Sequence, residues 1–162
     1  MPPSTAPSRL EERLAELDNS FELFLDQAKR YPRTLVQEKP TEIAFSATEI
    51  VYHMLDVERL WQTRMQGLCN GSMTHFQQLD PDTVAREAQY NVRRYEPGIS
   101  ELQNARRDTY SLVRSMKPEE LERTGFHSRY GEMNTFAILA KMAEHDRTHT
   151  AQLERTLRQV GN

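Results

Sequence analysis

Cysteine is almost absent from this chain. Cys69 is the single one in 162 residues. No disulfide can form within the chain, and a cytoplasmic setting is expected. Glycine is scarce too, at positions 67, 71, 98, 125, 131 and 161. No stretch of alternating β-branched residues occurs, so a sheet-based fold is not expected. No apolar run approaches the roughly 18 residues that a membrane span takes, and no membrane partner is expected. The opening "MPPSTAPSRL" has no hydrophobic segment of the signal-peptide kind. With prolines at 2, 3 and 7, residues 1–7 are expected to form a disordered tail. No basic block interrupts the balance of 21 basic and 24 acidic residues, net −3, so a nucleic-acid partner is not expected.

What the chain does have is helix-forming sequence. Hydrophobic residues make up 37% and charged residues 28%, as in a globular protein. The length suits one domain with one core, expected over residues 8–162. Leu, Glu, Arg, Ala and Gln fill the stretches between glycines. A first helix is expected from a Ser8 N-cap to Arg30, with Leu10, Leu14, Leu17, Phe21, Phe24 and Ala28 on one stripe. Tyr31-Pro32 ends it. Ser46 and Glu49 form an S-x-x-E capping box that starts a second helix. Its inward face reads Ile50, His53, Val57, Leu60 or Trp61, Arg64 and Leu68, and Gly67 and Gly71 bracket its end.

Residues 72–98 read as a long crossover. It holds a short helix, Thr83 to Tyr90, opened by Asp80-Pro81-Asp82. A third long helix is expected from Ile99 to Met116, and Pro118 starts a further turn. "GFHSRYGEMN" is a loop that suits a small hairpin. The last helix follows an Asn134 N-cap and carries Ile138, Met142, His145, His149, Leu153 and Val160 on one stripe. The class is all-α, a four-helix bundle. The long link between helices two and three permits an up-down-down-up order.

Three histidines fall on the inward stripes. His145 and His149 are spaced i, i+4 and share a helix face; His53 comes from the second helix. Facing helices build metal sites in bundles in this way. Three histidines leave a coordination position open, the catalytic pattern for zinc, while imidazole also suits nickel, iron and copper. A hydrogen-bonded core trio is the other reading that the spacing leaves open. Glu49, Asp56 and Gln152 are placed to hold a second imidazole nitrogen, although Glu49 already has a role as a cap. "DVER" and "EHDR" offer ion pairs worth little when exposed. His75 and His127 fall in loops, from which either could reach over the bundle mouth, and both are expected to face solvent. Tyr52, Trp61, Phe76 and Tyr130 suit either a pocket or the core. Nothing near Cys69 marks it as a nucleophile.

The pattern "SATEIVYHMLDVERLW", followed far downstream by "GFHSRYGEMNTFAILAKMAEHDRTHTAQLERTL", resembles the DinB-like superfamily of bacterial proteins. The likeness runs from the first helix to about Val160. It rests on one histidine in the second helix and an H-x-x-x-H followed by Q-[IL] in the last: His53, His145, His149, Gln152 and Leu153. The resemblance implies an up-down-down-up four-helix bundle, often a homodimer. It implies a divalent ion (zinc, nickel or iron) held by the three histidines, with water completing the shell. Relatives include thiol-dependent S-transferases and a mycothiol-dependent isomerase. The expected function is therefore a metal-dependent thiol S-transferase or hydrolase, acting on a small-molecule substrate with or without a low-molecular-weight thiol. The alternative is a non-enzymatic, stress-related helical dimer that binds metal or a small ligand.

Overall fold

Four long helices carry the chain: α1 (Ala6–Arg30), α2 (Ala47–Asn70), α4 (Tyr95–Arg114) and α6 (Thr135–Val160). Shorter elements lie between them: β1 (His75–Phe76), α3 (Pro81–Glu87), α5 (Pro118–Leu121), β2 (Gly125–His127) and β3 (Gly131–Met133). The computed structural model describes residues 6–162. Of the expected tail, residues 1–5 fall outside that range, while Ala6 and Pro7 belong to α1. The helix is already running at Ser8, so Ser8 does not cap it. Pro7 is accommodated because a first-turn N–H has no helical partner to lose.

Helix α2 starts as its sequence indicates. The Ser46 hydroxyl accepts from Glu49 N at 3.1 Å, and Glu49 Oε1 accepts from Ser46 N at 3.1 Å. It ends at Gly71, whose φ of 74° is the left-handed conformation that favours glycine. Helix α4 begins four residues before the expected Ile99. Pro97 falls in its first turn, where a missing N–H costs nothing, so the Pro-Gly pair opens the helix and does not precede it. Asn134 Oδ1 accepts from Ala137 N at 2.9 Å and caps α6.

The apolar stripes meet in two clusters, one at each end of the bundle. Phe24 and Ala28 of α1 pack with Ile50 and Met54 of α2, Tyr95 and Ile99 of α4, and Leu153 of α6. Leu10 and Leu14 pack with Met65 and Leu68, Val113, and Phe136 and Leu139. The start of α1 thus lies beside the ends of α2 and α4 and the start of α6. This is the up-down-down-up order. It makes α2 and α4 parallel neighbours, so the chain must travel back along a helix of about 36 Å before α4 can begin. The crossover does this with β1, α3 and a 3₁₀ turn at Tyr90–Val92.

The hairpin β2–β3 is present, and β1 joins it in parallel, with Phe76 opposite His127. That third strand was not expected, because its two residues carry no periodicity. Among the described residues, no helix is long and apolar enough to cross a membrane.

Candidate metal centre

His53 projects from α2, and His145 and His149 project one turn apart from α6. Their Nε2 atoms form a triangle with edges of 3.1, 3.1 and 3.0 Å. Hydrogen bonds alone cannot satisfy this arrangement. An imidazole nitrogen either carries a proton or offers a lone pair, never both. Around three such nitrogens, at most two edges can join a donor to an acceptor. A cation removes the conflict by accepting all three lone pairs. Ligand distances of about 2.0–2.1 Å require nitrogens about 2.8–3.4 Å apart for angles between octahedral and tetrahedral. The observed edges lie inside that range, so the three residues fit a divalent ion.

The surroundings keep the rings neutral. Burial, reinforced by charge repulsion from His149, pushes His53 down to about 3. Burial and the neighbouring histidines hold His145 well below its ordinary value. Burial also lowers His149, against an opposing pull from Gln152. Neutral imidazoles are the form that binds metal. Gln152 Oε1 lies 2.6 Å from His149 Nδ1. The proton therefore sits on Nδ1, and the lone pair of Nε2 faces the triangle.

Glu49 and Asp56 do not share that task. Glu49 closes the capping box and pairs with Lys39 at 3.3 Å. Asp56 accepts a hydrogen bond from the Tyr90 hydroxyl. Among the described residues neither bonds His53. Both sit about one turn from His53 along α2, and Asp56 lines the same cavity, but their carboxylates are held by other partners.

Beside the triangle lies a buried ionic network that the sequence did not announce. Arg106 of α4 donates to both oxygens of Glu58 (2.8 and 2.9 Å) and both of Asp146 (3.0 and 2.9 Å). Thr109 donates to Glu58 at 2.7 Å, and Ser20 of α1 donates to Asp146 at 2.7 Å. All four long helices are joined here. Burial opposes the charge on Arg106, but Glu58 and Asp146 outweigh it and raise its pKa. The "DVER" and "EHDR" charges were expected to make ion pairs, worth little where exposed. That holds for Arg59–Glu101, Arg147–Glu16 and Lys141–Glu144, but Glu58 and Asp146 are 3% and 1% exposed. Asp146 adjoins His145, so the network fixes the rotation of α6 that turns His145 and His149 inward.

A cavity of about 350 Å³ opens beside His53 and His145. Val57, Leu60 and Trp61 of α2 line one side, and Leu79, Val84 and Tyr90 from the crossover line another. His127 also lines it. It was expected to face solvent, yet it is 1% exposed, because pairing of β2 with β1 draws it beneath the hairpin. Tyr130 and Trp61 reach the cavity, whereas Tyr52 and Phe76 belong to the core. His75 is exposed. The Cys69 thiol is pushed up by burial and by Glu120, which leaves it a poor nucleophile.

A family model described as the DinB superfamily matches residues 4–153. No functionally curated protein matches the chain. Among solved structures, the chain is similar to YfiT from Bacillus subtilis, described as a probable metal-dependent hydrolase with an unusual four-helix bundle topology. The two are 12% identical with a TM-score of 0.78, over 93% of this chain and 87% of that one.

Proposed function

Because the chain belongs to the DinB superfamily, we propose that it is a metal-dependent enzyme with a divalent ion (zinc, nickel or iron) held by His53, His145 and His149. The observation that carries this reading is the nitrogen triangle, which hydrogen bonds cannot satisfy. The reaction is nucleophilic attack on a small electrophilic substrate in the adjoining cavity, by water in a hydrolysis or by a thiol in an S-transfer. YfiT's description supports the hydrolytic form. A divalent ion supplies Lewis acidity there, which brings the pKa of the attacking group toward neutrality.

The chain's own groups do the rest. Gln152 holds His149 in the ligating tautomer. Val57, Leu60 and Trp61 give the cavity an apolar wall that displaces water from the reacting group. Asp56 lines the same cavity one turn after His53, is held by the Tyr90 hydroxyl, and takes the proton released by the attacking water or thiol. All three histidines come from one chain, so the site is complete without the homodimer that the resemblance implies.

The test is turnover by protein loaded with each metal, assayed on esters and amides and on thiol–electrophile pairs. Activity is expected on one class, lost with chelator and restored by metal. Asp56→Asn is expected to lower kcat by roughly 10²–10⁴-fold with metal content unchanged. Stoichiometric metal without turnover on either class would overturn the enzymatic reading in favour of a metal-stabilised binding protein.

A further inference from the structure

Part of the cavity wall is a continuous stack of side chains. The Arg64 guanidinium lies 4.6 Å from the Trp61 ring centre, and Trp61 lies 5.9 Å from His127. His127 stacks on Tyr130 at 4.5 Å, and Lys141 Nζ sits 4.2 Å over Tyr130. All five line the cavity, as does Arg129. An aromatic wall is thus capped at each end by a cation.

Two groups in this wall are incomplete. Arg64 is 5% exposed. Its one hydrogen bond among the described residues goes to Gln77 O at 2.5 Å, and no carboxylate among them pairs with it. Arg106, the other deeply buried arginine, holds two carboxylates. A buried cation ordinarily carries a counter-ion. His127 is the second case. Its Nδ1 accepts from the backbone N–H groups of Arg129 (3.0 Å) and Tyr130 (3.3 Å). The ring proton therefore sits on Nε2, which has no partner among the described residues. A guanidinium with free N–H groups and an imidazole N–H are both donors without a protein acceptor, and both open on the cavity. A carboxylate or phosphate group supplies the missing oxygens and the missing charge.

We propose that this lobe binds an anionic group, carboxylate or phosphate, of the substrate whose reacting end faces His53 and His145. The substrate assignment rests on the metal-dependent reading above; the anion site does not. Arg64 follows His53 by eleven residues, about 16 Å of helix axis, and its side chain leans back toward the start of α2. The substrate is therefore elongated, with its anionic group on the order of 10 Å from the reacting centre.

Trp61 is the single tryptophan and lies against Arg64, so its fluorescence reads the lobe directly. Metal-loaded protein would be titrated with glutarate, inorganic phosphate and the neutral glutaramide. Saturable change with glutarate or phosphate and none with glutaramide is expected. The tighter of the two anions identifies the group. Affinity is expected to fall at least about tenfold in Arg64→Gln. The double variant Arg129→Gln/Lys141→Gln, which leaves Arg64 and His127 intact, is expected to lose a smaller factor. His149→Ala, deprived of its metal ligand, is expected to bind as wild type does. Equal response to glutaramide, no saturable response, or unchanged affinity in Arg64→Gln and the double variant would overturn the proposal. So would loss of binding in His149→Ala, which would place the anion on the metal. Anion binding that persists in a protein unable to hold metal would separate failure of the metal reading from failure of this one.

Discussion

Gln152 lies 2.6 Å from His149 Nδ1 and thereby decides which nitrogen of that ring is free. Gln152→Ala is expected to weaken metal affinity by about 10–100-fold, measured by competition with a chromophoric chelator, with the fold intact. The histidines also set a pH dependence. His53 is lowered from 6.5 to about 3, so below pH 6.5 the unfolded chain takes up a proton that the folded chain refuses. Stability of metal-free protein is expected to be full above that point and to fall as pH drops from 6.5 toward 3. His53 alone accounts for about 2 kcal/mol by pH 5. Urea denaturation of metal-free protein across that range checks this, and His53→Phe is expected to flatten the slope by about one proton. His145, His149 and Gln152 were legible in the sequence because i, i+3 and i, i+4 spacing puts side chains on one helix face, and His53 because it falls on the inward stripe of α2. Asp56 does not hold His53, whereas Glu49 keeps the capping role that the S-x-x-E spacing indicated. A shared helix face brings side chains within reach but does not choose their partners, and Tyr90 of the crossover claims Asp56. His127 was misplaced because a strand pairing across about fifty residues buries it.

At the scale of elements, the Glu58–Arg106–Asp146 network ties the four long helices at mid-bundle. Removing its cation leaves two buried carboxylates with only the Thr109 and Ser20 hydroxyls and no counter-charge. Arg106→Met is expected to destabilise the fold by about 3–5 kcal/mol in chemical denaturation. It is also expected to weaken metal binding, because α6 loses the contact that sets its rotation beside His145. The network was not legible. Glu58 and Asp146 sit in charge-rich stretches that offer several ion pairs without marking which are buried, and Arg106 lies 48 and 40 residues from them. Caps were legible, because Ser46, Asp80 and Asn134 each act on the first turn that follows them. The start at Pro118 was legible too, but those around Pro7 and Pro97 were not, because both prolines lie inside first turns, where proline is compatible with helix.

At the scale of the molecule, parallel packing of α2 and α4 makes the crossover necessary, and the crossover then becomes part of the site. Leu79, Val84 and Tyr90 wall the cavity beside His53 and His145. The bundle order brings α2 against α6, so two histidines one turn apart meet a third from about ninety residues upstream. The central claim is that this meeting point holds a divalent ion. Elemental analysis by plasma mass spectrometry, on wild type and His149→Ala purified alike, tests it most directly. About one zinc, nickel or iron per wild-type chain, lost in the variant while helical content is kept, is the expected result. The same substoichiometric metal in both proteins would contradict the claim.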